Sequence, residues 1–349
     1  MKTKYPCADL CTAESGGVPM YLANEKRYEK MLYRKCGKSG LKLPVISLGL
    51  WQNFGHQSMF SNMVEMIRTA FDLGITHFDL ANNYGDPYIG SAEENFGKIL
   101  SGMRKYRDEM IISTKAGYDM WEGPYGTRSG TRKYLLASLD QSLKRMGLDY
   151  VDIYYHHLFD PDTPLEETAL ALDQAVRAGK ALYVGVSNYD RAQTEEITAI
   201  FRELHTPFLI HQPSYSMLNR KIEKDSLDSL AQEQGFGIAV FQALYQGLLT
   251  ERYLNGIPAD SRIGRGATWI GDELNATMLS KLNRLNAIAH NRGQQLSQMA
   301  IAWVLHNPAV TTVIIGASRP AQIAENAACI SRLEFTAEEI SEIEEILGK

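Results

Sequence analysis

The chain has 349 residues, a net charge of −5, 44% hydrophobic residues and 22% charged residues. That balance excludes a disordered or collagen-like chain, and its mild acidity offers no field to hold nucleic acid or an anionic membrane. No apolar run approaches the roughly 20 residues needed to span a bilayer.

Residues 1–27 show no periodicity and read as an extension ahead of one domain spanning 28–349, with Gly16, Gly17 and Pro19 as breakers. The extension carries Asp9 and Glu14 and lacks the apolar core of a secretory leader. Cys7, Cys11, Cys36 and Cys329 are scattered without a CxxC pair, as expected for reduced thiols of a cytoplasmic protein. Met31–Leu43 reads as a short hairpin turning near Gly37–Gly40.

From Val45 onward the chain alternates. Short branched or aromatic runs at Val45–Trp51, Thr76–Ala81, Met110–Ala116 and Tyr150–His157 read as buried strands. Ala181–Ser187, Phe208–Pro213, Gly237–Gln242 and Thr311–Ala317 complete a set of eight. Helical spacing lies between them, as in Met63, Ile67, Ala70, Phe71 and in Leu135, Leu139, Leu143, Met146. The same spacing recurs in Leu165, Thr168, Ala169, Leu172 and in Leu285, Ile288, Ala289. Gly147 is placed to stop the second of these helices.

Alternating strands and helices imply a parallel sheet with right-handed crossovers. The stretch Val45–Ala328 fits the about 250 residues of a closed (β/α)8 TIM barrel, with the hairpin ahead of it and extra helices behind. No GxGxxG follows the first strand, so a dinucleotide-binding doubly wound sheet is disfavoured. Thr250–Leu274 is too long for a plain connection and reads as a loop folded over a site.

In such a barrel chemistry gathers at the C-terminal strand ends. Those ends carry Asp79, Tyr84 shortly after it, Lys115, and the pair His156-His157. Asp79 and Lys115 lie in apolar runs, where mutual pairing is the simplest way to tolerate two charges. One reading makes them a structural ion pair. The other makes Lys115 the cation that lowers the pKa of Tyr84 for proton donation, with a histidine bonding the substrate oxygen. Adjacent histidines on a strand face opposite ways, which disfavours a metal site, and spacing alone leaves open which of the two joins the cluster. Trp51 and Trp121 follow two strands and either wall a substrate pocket or pack locally.

With these residues in view the chain resembles the aldo-keto reductases. The matching pieces are Phe78-Asp79-Leu80-Ala81-Asn82-Asn83-Tyr84-Gly85, Ile112-Ser113-Thr114-Lys115 and Tyr150 through His157. Further matches are Gly185-Val186-Ser187-Asn188, Gln212-Pro213-Ser214-Tyr215, Gly247-Leu248-Leu249-Thr250 and Gly316-Ala317-Ser318 with Glu325-Asn326. The chain is most similar to the branch holding potassium-channel β subunits and bacterial L-glyceraldehyde-3-phosphate reductases.

The resemblance implies a catalytic tetrad of Asp79, Tyr84, Lys115 and His157, leaving His156 as a partnered histidine behind the barrel wall. It implies NADPH as cofactor and small aldehydes as substrates, with Trp51, Tyr84, Trp121 and His157 around the substrate. It counts Trp51, Gln52 and Asp79 among the cofactor contacts and puts Ser187, Asn188 and Gln212 at the nicotinamide carboxamide, with Phe241 stacking on the ring. Gln242 and Leu244 are further cofactor contacts, and the segment closing over the pyrophosphate falls to Gly247, Leu248 and the loop beyond, with Arg252 as its cation. Gly316, Ser318, Arg319, Gln322, Glu325 and Asn326 would hold the adenosine end, with Arg319 gripping a 2′-phosphate. Gln242-Ala243 and Glu251-Arg252 depart from the family's usual Ser/Thr-Pro and Gly-Lys. The branch often assembles into homo-oligomers, tetramers or larger. It also implies an alternative, a non-catalytic NADPH-binding regulatory subunit like those of the channels.

Overall fold

A computed structural model describes residues 21–85, 87–259, 261, 263–264, 266 and 273–348. Most of the N-terminal extension, including Cys7 and Cys11, and much of the Thr250–Leu274 loop lie outside the described residues.

The hairpin pairs β1 (Tyr33–Lys35) with β2 (Lys42–Pro44), in the antiparallel register Arg34 opposite Leu43. Eight parallel strands follow: β3 (Ile46–Gly49), β4 (His77–Asp79), β5 (Ile111–Ala116) and β6 (Val151–His156), then β7 (Ala181–Ser187), β8 (Phe208–Gln212), β9 (Gly237–Val240) and β10 (Val310–Ile315). They close in the order β10-β3-β4-β5-β6-β7-β8-β9, the expected (β/α)8 barrel. The strands are shorter than the apolar runs, because residues such as Leu50, Leu80 and Ala81 remain buried in loops after the ladder ends.

The expected helices form around this barrel. In Phe60–Asp72 the residues Met63, Ile67, Ala70 and Phe71 are buried, and Arg132–Met146 buries Leu135, Leu139, Leu143 and Met146. Gly147 ends the latter at φ +64°, a left-handed turn that glycine adopts without strain. Two later helices, Ala276–Asn291 and Ala337–Leu347, pack together outside the barrel alternation. The helix Leu296–His306 is buried on nearly every side. No helix among the described residues is long and apolar enough to cross a membrane.

The hairpin plugs the N-terminal end of the barrel. Cys36 and Leu43 are buried with Ile153, Tyr155, Leu209, Ile210, Ala239 and Ile314 from four barrel strands. Cys36 and Cys329 are free, buried thiols, each pushed up to about 12 mainly by burial. Higher in the barrel Tyr155 fills the space opposite Gly185, its partner in register. A Cβ on Gly185 would lie 2.6 Å from the Tyr155 ring and 2.7 Å from the Ile210 carbonyl oxygen. Gly185→Ala is therefore expected to lose about 1–3 kcal/mol in urea unfolding, since a fixed carbonyl cannot yield as a side chain can.

Candidate active site

Strand alternation sends every second side chain to the barrel axis. On β4 those are His77 and Asp79, while Phe78 points outward onto Phe96 at 5.7 Å between ring centroids. On β5 they are Ser113 and Lys115. Parallel register places Asp79 beside Ser113 and Lys115 beside Tyr155. Asp79 and Lys115 are thus neighbours on adjacent strands, and Tyr84 arrives from the loop after β4.

The geometry follows. Lys115 Nζ donates to Asp79 Oδ2 at 2.6 Å, to the Leu80 carbonyl at 2.6 Å and to Tyr84 Oη at 3.3 Å. Three acceptors account for the three ammonium protons. Since lysine only donates here, the hydroxyl proton of Tyr84 is directed away from it, to the rest of its surroundings. Tyr84 is half-buried, with its ring edge-on to His157 at 5.9 Å between centroids.

The two histidines diverge as strand geometry requires. His156 faces outward, and its Nδ1 lies 2.6 Å from Tyr189 Oη. His157 faces Tyr84 on one side and Tyr118 on the other, at 4.6 Å between centroids. Nδ1 of His157 is buried with no hydrogen-bond partner among the described residues. Burial first, then the charge of Lys115, holds this imidazole well below its ordinary pKa. It is neutral at physiological pH and can present a proton to an oxygen without bringing a charge.

The pKa of Tyr84 runs against the sequence expectation. Burial pushes the phenol well above its usual value, and the charge of Asp79 pushes it further. Lys115 does not offset this, because Asp79 already neutralises the ammonium and burial lowers Lys115 itself. Tyr84 therefore holds a full proton across the ordinary pH range. What the surroundings provide is direction for that proton rather than early ionisation.

Apart from Asp79 on β4, the residues expected at a cofactor lie on one arc of the rim, after β7, β8, β9, β10 and β3, which are consecutive around the barrel. After β7, Ser187 Oγ donates to the Gln212 carbonyl at 2.8 Å, and Asn188, at φ +56°, donates from Nδ2 to the His157 carbonyl at 3.0 Å. Gln212, expected at the carboxamide, donates from Nε2 to Asp79 Oδ1 at 3.0 Å. After β9, Phe241 is half-buried and Gln242, at φ +60°, accepts from Ser214 Oγ at 2.8 Å. Leu244 and Gly247 form a tight turn around buried Leu248, and Arg252 is exposed beyond it. The stretch 267–272 of the loop behind them lies outside the described residues.

After β10, Gly316 and Ser318 are exposed and lead into the helix Pro320–Ala327, whose N-cap is Arg319. Gln322 Oε1 accepts from the Ser318 amide at 2.9 Å. Arg319 lies 3.6 Å from Glu325, with 62% of its side chain exposed. Asn326 Nδ2 is buried with no hydrogen-bond partner among the described residues. After β3, Trp51 and Gln52 are exposed, and Asn53 Nδ2 donates to the Ala317 carbonyl at 3.1 Å, tying this loop to the one after β10. A dinucleotide fits this arc. An arginine and a helix N-terminus suit phosphate, Asn326 on the same helix carries a buried amide nitrogen with no partner among the described residues, and Gly316 has open space where a Cβ would point.

Trp121 is placed by local packing. Its indole lies 5.7 Å from the Tyr134 ring, and Gly126 approaches so closely that a Cβ there would be 2.2 Å from it. Tyr134 in turn accepts from Asn82 Nδ2 at 3.2 Å. Sequence reading did not single out His77, Ser113 or Tyr118 for this site. Alternation could have found the first two, each two residues before a tetrad residue; nothing local marks Tyr118.

The model of the Aldo/keto reductase family matches residues 45–348. The chain belongs to this family. It is 54% identical to "L-glyceraldehyde 3-phosphate reductase" of Escherichia coli K12 over 331 residues, 93% of this chain and 95% of that one. It is 37% identical to "Probable voltage-gated potassium channel subunit beta" of Arabidopsis thaliana over 303 residues, 85% and 90% of the two chains. A solved thermostable aldo-keto reductase, crystallised with the inhibitor epalrestat, superposes with TM-score 0.72 at 30% identity and covers 90% of this chain and 100% of its own. This reductase is thus an oxidoreductase acting on carbonyl groups, in a family that uses a nicotinamide cofactor, usually NADPH.

Proposed function

We propose that this reductase uses NADPH to reduce small aldehydes to alcohols, L-glyceraldehyde 3-phosphate and methylglyoxal among them, with Tyr84 as the proton donor. The observation that carries the reading is the Tyr84 hydroxyl, held 3.3 Å from a fully buried Lys115–Asp79 pair and facing a neutral His157. When bound, NADPH supplies the hydride. His157 bonds the substrate oxygen and fixes the face presented, while Tyr84 releases its proton to that oxygen as negative charge develops there. The departing proton leaves a phenolate oxygen that keeps the hydrogen bond donated by Lys115 Nζ. Trp51, Trp121 and Tyr118 form the apolar surroundings of a small carbonyl compound.

The phosphorylated substrate is favoured by the 54% identity to a protein bearing that name. Steady-state oxidation of NADPH with a panel of phosphorylated and plain aldehydes tests the reading. Turnover is expected on short aldehydes. No turnover on any of them would favour the regulatory-subunit reading, which the likeness to a channel β subunit keeps in view.

Cofactor choice has its own test. Arg319, exposed at a helix N-terminus, can grip a 2′-phosphate with two prongs once it leaves Glu325. Arg319→Ala is expected to weaken NADPH by about tenfold to hundredfold and NADH hardly at all, by fluorescence titration. Equal losses for both would remove Arg319 from that role.

A further inference from the structure

Beneath Tyr84 the barrel interior holds a row of polar side chains that proton donation does not use. Ser47 on β3, His77 on β4, Ser113 on β5 and Thr312 on β10 are all fully buried, on four strands consecutive around the barrel. Thr312 Oγ1 lies 2.6 Å from Ser47 Oγ, and Ser47 Oγ lies 2.8 Å from His77 Nδ1. His77 Nε2 lies 3.0 Å from Ser113 Oγ, which donates to Asp79 Oδ1 at 2.7 Å. The row thus ends on the acid of the tetrad.

Counting protons gives the row a direction. A serine hydroxyl has one proton, and that of Ser113 is spent on Asp79. Ser113 Oγ must then accept from His77, which requires the His77 proton on Nε2. Burial brings His77 down to about 4, so the ring is neutral and Nδ1 accepts from Ser47. Ser47, its proton spent, accepts from Thr312. Every bond points toward Asp79, an arrangement in which each polarises the next.

The carboxylate is divided accordingly. Oδ1 takes Ser113 and Gln212, and Oδ2 takes Lys115. We propose that His77 is a positioning residue: as the Nε2–H tautomer it pins the Ser113 hydroxyl on Asp79 Oδ1, which reserves Oδ2 for Lys115 and so sets the ammonium against Tyr84. The proposal rests on Tyr84 being the proton donor. A histidine protonated on Nδ1 would meet Ser113 with a lone pair, turn that hydroxyl away from Asp79 and free the carboxylate to rotate.

Two measurements test it. Long-range proton–nitrogen spectra of the full chain with NADPH bound, the His77 signals assigned by their loss in His77→Gln, are expected to show the Nε2–H tautomer at neutral pH. An Nδ1–H or doubly protonated ring overturns the proposal, and this readout is independent of activity. In kinetics, His77→Leu is expected to lower kcat about tenfold with KM and NADPH affinity unchanged, and His77→Gln, whose amide can donate from the position of Nε2, to restore part of the loss. A folded His77→Leu with wild-type kcat, or Leu and Gln variants equally slow, would overturn it. Should Tyr84→Phe stay active, the proton-donor reading falls while the tautomer of His77 is unmoved, so the two failures are told apart.

Discussion

Tyr84→Phe is expected to cut kcat by about 10²–10⁴ while NADPH binds as in the wild type. The substitution removes one oxygen from a half-buried ring and keeps its contact with His157. No other described side chain combines a proton held at neutral pH, a hydrogen bond from Lys115 and a place beside His157. Lys115 has spent its protons on Asp79, the Leu80 carbonyl and Tyr84, so it cannot take over without leaving a buried carboxylate unpaired. Stopped-flow reduction with NADPH, beside a fluorescence titration, separates the two quantities. Full activity in Tyr84→Phe would remove the residue from the mechanism, and a matching loss of NADPH affinity would point to a distorted rim instead.

The second large effect is on stability as well as turnover. Asp79→Asn is expected to destabilise the protein by about 3–5 kcal/mol, because it strands the fully buried ammonium of Lys115. The asparagine carbonyl can still receive Ser113 and Gln212, but its amide group would then face Nζ, donor against donor. Lys115→Met strands the carboxylate instead and is expected to cost a similar amount. The double variant leaves no unpaired charge at this position and is expected to regain more than half of the loss, since the cost of each single lies in the buried charge that it strands. Its activity should stay lost. Urea unfolding of the four proteins forms the cycle. A double variant as unstable as the sum of the singles would show that the two residues act independently.

The barrel was legible because its strands are short apolar runs bounded by turns and its helices carry a clean stripe, as Leu135, Leu139, Leu143 and Met146 show. The helix Leu296–His306 was not, because it is buried on nearly all faces and has no polar side to set a period. The divergence of His156 and His157 followed from strand alternation. The partner of His156, Tyr189, could not be foreseen, since it comes from the next strand's loop. The expectation that Lys115 depresses Tyr84 failed for a related reason. It counted the nearest charge and not the burial of the whole cluster, nor the cancelling of that charge by Asp79.

By itself the sequence determined which residues line the barrel, because alternation and turn residues are local properties of the chain. Its motif likeness also named the tetrad and the arc for a dinucleotide. Only the tertiary structure decided how those groups share their protons. Gln212 bonds Asp79 as well as facing the rim, Arg319 lies near Glu325, and a row from Thr312 to Ser113 ends on the tetrad acid. Ser47 and Thr312, 265 residues apart in the chain, meet only once the last strand closes on the first.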